Sequence, residues 1–173
     1  PFYATSTLNP KDLTAFNKEV VTAKVDGISG DYQYPKRTEN GYSLTVDEGT
    51  EVTLLYKITV EGDVGAEFDV KDEDAELIKV ITDGVEIDSM TTAGHFTGTI
   101  PSGGKVEFYV ATDFGAVTAD KDLENVASVS NTNGGNNPDD PDKEVTVPVD
   151  VTPVYEITSI DKFIVASDRK SVV

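Results

Sequence analysis

The stretch Glu51-Val-Thr-Leu-Leu-Tyr-Lys-Ile-Thr-Val-Glu61 decides the fold class, because its apolar and polar side chains largely alternate. Successive side chains of a strand point to opposite faces, so this pattern is typical of a strand with one face in a core. Similar short runs recur along the chain, separated by Gly, Asp, Asn and Pro. They predict strands at 15–25, 42–46, 51–61, 66–72, 76–81, 85–89, 96–100, 105–111, 123–130 and 144–149. Because no helical period extends over three turns, we expect an all-β, immunoglobulin-like β-sandwich, with one short helical turn at most in residues 112–122.

The chain divides into one module and two flanking segments. We expect an N-terminal extension at residues 1–12 and the β-sandwich module at 13–150. Residues 151–173 are interpreted as a linker with the first strand of a following module, or as a C-terminal extension. Pro148 cannot donate a backbone hydrogen bond, so it predicts that the last strand lies at a sheet edge or stops pairing there.

A short repeat supports the idea of a following module. The run Leu13-Thr-Ala-Phe-Asn-Lys18-Glu-Val-Val-Thr-Ala23 aligns without gaps to Ile157-Thr-Ser-Ile-Asp-Lys162-Phe-Ile-Val-Ala-Ser167, with the two lysines in register. A tandem array predicts such self-similarity, whereas two generic strands that look alike are the alternative. In the array interpretation, Lys162 is unbonded and belongs to a module that continues beyond this chain.

Composition limits the class of partner. Acidic residues outnumber basic ones 32 to 14, giving a net charge of -18, which argues against nucleic acid and anionic membrane surfaces. No apolar run approaches the ~18 residues that a membrane span needs. There is no cysteine, and the chain begins at Pro1, so we expect a fragment or mature form of an exported protein that is stabilised without disulfides.

Three polar residues fall on the apolar faces of predicted strands. Lys18 alternates in phase with Phe16 and Val20, and Asp72 is in phase with the apolar residues of its own strand, Phe68 and Val70. Asn125 is likewise in phase with the apolar positions Leu123, Ala127 and Val129. Period-2 alternation therefore predicts that all three side chains point into one core.

A lysine, an acid and an asparagine can react with one another in such a core. Burial favours the neutral amine and the neutral carboxylic acid, and a neutral amine is a nucleophile. Attack of Lys18 Nζ on Asn125 Cγ expels ammonia and leaves an amide, while Asp72 moves the proton. This is a single-turnover self-modification and not enzyme activity in the usual sense. The alternative is that the three are strand-end residues with solvated tips.

The same residues carry a resemblance to a known family. Lys18-Glu-Val, Tyr56-Lys-Ile-Thr-Val60, Val70-Lys-Asp72 and Asn125-Val-Ala-Ser-Val129 occur in an order that resembles Gram-positive surface adhesin and pilin modules. These are immunoglobulin-like domains with intramolecular isopeptide bonds, close to the DUF11-type surface repeats. The resemblance covers roughly residues 13–150. It implies that Lys18 and Asn125 form the cross-link and that Asp72 is the catalytic acid.

The chain departs from that family pattern around the acid. Glu61-Gly-Asp-Val-Gly65 stands where the family has N-x-G, and Glu-Asp-Ala follows Asp72 where T-x-P is usual. Asp69, Glu73 and Asp74 are therefore alternative acids. Alternation favours Asp72, because it turns Asp69 and Glu73 outward.

Calcium is the one cofactor that the sequence suggests, as a weak candidate beside the expectation of no metal. The Asn- and Asp-rich loop offers oxygen ligands, although its spacing fits no EF-hand pattern. The candidate ligands are Asn131, Asn133, Asn136, Asp139, Asp140 and Asp142. A solvated acidic loop is the alternative.

Other functional features are sparse. His95 is the single histidine and is expected in a turn, and no nucleophile elbow is present. Tyr32, Tyr34 and Tyr42, with Pro35, suggest either an aromatic platform for a sugar or protein ligand or ordinary hairpin packing.

The sequence therefore predicts a structural or adhesive module of a bacterial cell-wall or pilus protein, located outside the cell. Its expected partners are tandem modules or pilus subunits and a host or glycan ligand, without membrane insertion in this segment. A carbohydrate- or protein-binding β-sandwich of a secreted protein without a cross-link is the first alternative. A domain of a secreted enzyme is the second.

Overall fold

The computed structural model describes residues 9–26, 32–87, 94–139 and 144–155 and contains eleven strands and no helix within those ranges. Accordingly, none of the described residues form a helix that is long and apolar enough to cross a membrane. The strands are β1 Leu13–Asp26, β2 Tyr32–Gln33, β3 Lys36–Arg37, β4 Tyr42–Asp47, β5 Thr50–Gly62, β6 Glu67–Asp72, β7 Ala75–Val80, β8 His95–Thr99, β9 Lys105–Val117, β10 Lys121–Asn131 and β11 Glu144–Val154.

The strands form two sheets that pack face to face. One sheet has the order β2-β1-β5-β9-β7, and the other has the order β3-β4-β11-β10-β6-β8. All pairs are antiparallel except β4 and β11, which run parallel. The predicted all-β sandwich is therefore confirmed, whereas the immunoglobulin-like arrangement stays a prediction.

The core lies between the sheets and follows the period-2 pattern of the sequence. In β5, every second side chain from Val52 to Val60 is completely buried, because this strand is paired on both sides, by β1 and β9. Side chains of the other sheet, among them Phe68 and Leu123, pack in the same cluster. Burial of such side chains stabilises the fold by roughly 1.5–3 kcal/mol each.

Two local predictions are wrong. Residues 112–117 continue β9 instead of forming a helical turn, because the alternation of Val106, Phe108 and Val110 extends through the buried Thr112. Residues 85–87 are not a strand, and residues 88–89 lie outside the described part of the chain.

The last strand differs from its prediction in position and length. Strand β11 lies between β4 and β10, and Pro148 sits opposite Glu124 without ending the pairing. Pro148 has no backbone N–H to donate. This is tolerated because the parallel pairing of β11 with β4 begins only at the next residue, Val149. The strand continues to Val154, five residues beyond its predicted end at residue 149.

The chain enters and leaves the described sandwich at opposite ends. Leu13 pairs with Gly62, the last residue of β5, so the chain enters at that end. Val154 accepts a hydrogen bond from the Glu48 amide, just before β5 begins, so the chain leaves at the other end. Strand β5, which separates these two ends, has 13 residues and spans roughly 40 Å.

Candidate functional site

Five polar side chains meet in the interface between the two sheets. Lys18, Tyr56 and Thr112 come from neighbouring strands β1, β5 and β9 of one sheet, and Asp72 and Asn125 come from β6 and β10 of the other. All five are buried, with Tyr56 and Asp72 completely inaccessible. The prediction that Lys18, Asp72 and Asn125 face one core is confirmed.

Strand register places the acid beside the amide. Asp72 lies opposite Ala127 in the β6–β10 ladder, and Asn125 is two residues from Ala127. Residues two apart in a strand share a face, so the two side chains are diagonal neighbours on the inner face of their sheet. Lys18, which lies opposite Ile58, reaches them from the facing sheet.

The lysine nitrogen is held by two contacts. Lys18 Nζ donates a hydrogen bond to Asp72 Oδ2, and both side chains are completely buried. The same nitrogen lies 4.1 Å from the centre of the Tyr56 ring, within the range of a cation–π interaction. The alternative in which these are strand-end residues with solvated tips is therefore wrong for Lys18 and Asp72.

Burial shifts both members of the pair toward their neutral forms. It lowers the pKa of Lys18, and the charge and hydrogen bond of Asp72 oppose this shift only in part. It raises the pKa of Asp72, although Lys18 and the neighbouring Asn125 amide act in the opposite direction, and the charge of Asp74 raises it further. Both shifts run in the direction that attack by an amine on an amide requires, toward a neutral nucleophile and a neutral acid.

Three buried polar atoms of the cluster are left without ordinary hydrogen bonds. Within the described part of the chain, Tyr56 Oη, Asp72 Oδ1 and Asn125 Oδ1 have no partner of normal geometry. Asn125 Nδ2, by contrast, donates to Thr112 Oγ1 at 3.4 Å. Unpaired buried polar groups cost ~1–3 kcal/mol each, so their concentration at one place needs an explanation.

The alternative acids lie outside this cluster. Asp69 contacts His95, with 2.9 Å between Oδ1 and Nδ1, in a half-buried pair. Glu73 is exposed, and Asp74 occupies the turn after β6 with a φ of 62°. The structure thus brings Asp72, and none of these alternatives, to the lysine. His95 begins strand β8, so the expectation that it lies in a turn is wrong.

The asparagine-rich loop uses much of its side-chain chemistry internally. Asn131 Oδ1 accepts hydrogen bonds from the amides of Asn133 and Gly135, and Asn133 Oδ1 accepts one from the Glu67 amide. Asn136 and Asp139 are exposed. The remaining calcium candidates, Asp140 and Asp142, lie outside the described residues, and calcium binding stays a prediction.

The tyrosine platform is only partly present. Tyr32 and Tyr34 are 64% and 78% exposed, whereas Tyr42 is buried and its hydroxyl accepts a hydrogen bond from the Val20 amide at 3.3 Å. Tyr42 therefore serves the packing of β1 against β4. The second lysine of the repeat, Lys162, lies outside the described residues.

Sequence reasoning missed two members of the cluster. Tyr56 lies in phase with the apolar residues Leu54 and Ile58, and this alternation is the signal that turns it inward. Thr112 falls in the segment 112–122, for which the sequence predicts a helical turn and which the structure shows to begin as a continuation of β9. The alternation that buries Val110 points to Thr112, two residues later, as the next inward side chain.

Comparisons with known proteins leave the family open. No family model matches the chain, and no curated protein matches it. A solved two-domain protein of unknown function from Bacteroides fragilis is similar at 8% identity and a TM-score of 0.37. The match covers 80% of this chain and 46% of that protein, so the chain spans less than half of its length.

Proposed function

We propose that this chain is a structural or adhesive module of a bacterial cell-surface or pilus protein, held by a self-formed amide bond between Lys18 and Asn125. The observation that carries the proposal is the burial of Lys18 Nζ against the Asp72 carboxyl group with the Asn125 side chain beside them. The net charge of -18 and the absence of cysteine support a location outside the cell.

The reaction balances with the groups present. A proton moves from the Lys18 ammonium to Asp72, which leaves a neutral amine and a neutral acid. Nζ then attacks Cγ of Asn125, so that the Nζ–Cγ bond forms and the carbonyl oxygen takes up charge. Asp72 gives its proton to Nδ2 and receives one from Nζ as the Cγ–Nδ2 bond breaks. Ammonia leaves, and a secondary amide remains.

The product joins the two sheets. It links β1, where the chain enters, to β10, which is followed only by β11 in the described part of the chain. Closing a loop of about 100 residues stabilises the fold by ~4–5 kcal/mol, by analogy with a disulfide. Because the chain enters and leaves at opposite ends, tension between tandem modules would pass through the amide. This arrangement suits a stalk or pilus whose partners are further modules and a host or glycan ligand.

Intact mass measured in denaturant tests the proposal. We expect the purified chain to weigh less than its sequence by one ammonia, and fragmentation to locate the link between the Lys18 and Asn125 peptides. Lys18→Ala and Asn125→Ala should both have the full sequence mass. Lys121→Ala, which removes an exposed lysine at the start of β10, is the matched control and should keep the deficit. A full mass for folded wild-type protein would refute the cross-link.

A binding module without a cross-link is a second candidate. The exposed Tyr32 and Tyr34, at β2 and just after it, favour it, because exposed aromatic rings offer stacking surfaces to sugars and proteins. A glycan array with wild type and a Tyr32→Ala, Tyr34→Ala double variant tests this candidate. Equal signals from both proteins would argue against these tyrosines as a binding surface.

A further inference from the structure

Two side chains of the cluster, Tyr56 on β5 and Thr112 on β9, contact the two groups that would react, the Lys18 amine and the Asn125 amide. Thr112 Oγ1 is the hydrogen-bond partner of the Asn125 amide nitrogen, at 3.4 Å. The ring of Tyr56 lies under the Lys18 nitrogen, at 4.1 Å from ring centre to Nζ. Both side chains are buried and come from central, two-sided strands, so they are held more rigidly than loop residues would be.

The unpaired atoms of the site complement one another. Among the described residues, the Tyr56 hydroxyl is a buried donor without a partner, and Asp72 Oδ1 and Asn125 Oδ1 are buried acceptors without one. A phenylalanine would fill the same core position without burying an unpaired hydroxyl. A buried, unpaired hydroxyl beside the Lys18–Asp72–Asn125 cluster therefore points to a role that stability does not explain.

Charge develops at one of those acceptors during the reaction. When the amine attacks Cγ, the negative charge gathers on Asn125 Oδ1, and donors aimed at that atom lower the barrier. Neutral Asp72 offers one proton, but that proton must also reach the leaving nitrogen. The Tyr56 hydroxyl keeps its own proton, because burial and the charge of Asp72 raise the pKa of Tyr56 well above its ordinary value.

We infer that Tyr56 and Thr112 assist amide formation: Thr112 holds the Asn125 amide nitrogen, the Tyr56 ring packs against Lys18 Nζ, and the Tyr56 hydroxyl, which has no partner among the described residues before the reaction, donates to the developing oxyanion. This inference rests on the proposed cross-link and adds the groups that make the step fast. Misplacement by about 1 Å can cost a reaction ~100-fold, so residues that fix the amine and the amide matter even without forming bonds.

Refolding kinetics of the full chain test the inference. Unreacted chain is isolated in guanidinium chloride, refolded by dilution and sampled by intact mass, so that loss of ammonia is followed in time. We expect Thr112→Val and Tyr56→Phe each to slow the loss by ~10-fold or more, and Thr112→Ser to restore it. Thr50→Val, at a buried threonine outside the cluster, and Tyr109→Phe, at a half-buried tyrosine, are the matched controls and should react as wild type.

A second measurement separates positioning from folding. In a Lys18→Ala background, which cannot react, Tyr56→Phe should leave the melting temperature unchanged or raise it. If Tyr56→Phe slowed the loss of ammonia and also lowered the melting temperature in the Lys18→Ala background, the slower reaction would reflect poorer folding and the inference would be overturned. Equal rates for wild type and both variants would overturn it and leave the cross-link standing, whereas no ammonia loss in wild type would overturn both.

Discussion

Lys18 and Asp72 come from opposite sheets and meet with both side chains completely buried. The two residues are 54 positions apart in sequence, and neither side chain is accessible to solvent. A buried pair of this kind costs desolvation energy that attraction repays only in part. The proposed reaction would remove both charges, and this desolvation cost is one physical reason for proposing it.

Removal of Lys18 should make the stability depend on pH. Burial raises the pKa of Asp72 above its ordinary 3.8, and Lys18→Met removes the larger of the two groups that oppose this shift, leaving only the Asn125 amide. The folded state then holds the proton more tightly than the unfolded state. Stability is thus fully present below pH 3.8 and falls as the pH rises through the folded pKa.

Urea unfolding of Lys18→Met between pH 3 and 8 checks this expectation. The matched control is Lys18→Met with Asp72→Asn, which also lacks the amide bond but has no titrating acid at this position. We expect the single variant to lose ~3–5 kcal/mol relative to the control at neutral pH, as for an uncompensated buried charge. Parallel pH curves for the two proteins would contradict a raised pKa for Asp72.

Amide formation should be fastest at intermediate pH. Lys18 and Asp72 share one titrating proton. In the reactive form this proton is on Asp72, and in the ion pair it is on Lys18. A second proton turns the amine into an unreactive ammonium, and loss of the last proton removes the acid. We therefore expect a bell-shaped profile for the rate of ammonia loss after refolding. A rate that rises steadily to high pH would mean that the neutral acid is not required.

Pulling on the two ends should extend only part of the module. With the amide in place, tension reaches the residues from Leu13 to Lys18 and from Asn125 to Val154, roughly 36 residues or ~125 Å of contour length. In Lys18→Ala, all of the chain from Leu13 to Val154 can extend, roughly 142 residues or ~500 Å. Single-molecule force spectroscopy distinguishes the two lengths directly. Equal lengths would show that no covalent path bypasses the intervening strands.

Gly94 should be needed to place the Asp72 carboxyl group. It has a φ of +79°, its carbonyl accepts a hydrogen bond from the Asp72 amide at 2.8 Å, and a Cβ would lie 2.8 Å from the Asp72 carbonyl oxygen. Gly94→Ala should therefore destabilise the protein by more than the ~1–2 kcal/mol of a left-handed alanine, and slow amide formation.

Gly84→Ala is the control for that substitution. Gly84 has a similar φ of +74°, but a Cβ there would contact nothing within 4 Å. The difference between the two melting temperatures isolates the clash with the Asp72 strand. Identical effects on stability and on the rate of ammonia loss would show that Gly94 acts through its backbone conformation alone.

Most strands could be predicted because their signal is local. Alternation in β5 and β10 follows from the geometry of a single strand, and the same alternation turns Lys18, Asp72 and Asn125 inward. The interior position of β11 could not be predicted in this way. Pro148 indicates an edge when it is considered alone, whereas the observed position depends on where the ladder with β4 begins.

The sequence by itself determined which side chains enter the core, since period-2 alternation needs no knowledge of partner strands. Only the tertiary structure decided that the amine and the acid touch across the two sheets and that Asn125 lies beside the acid. It also added Tyr56 and Thr112 to the cluster. The physical reason is that register and sheet order depend on pairing between residues far apart in the chain, and the composition of one strand does not encode the side chains that face it.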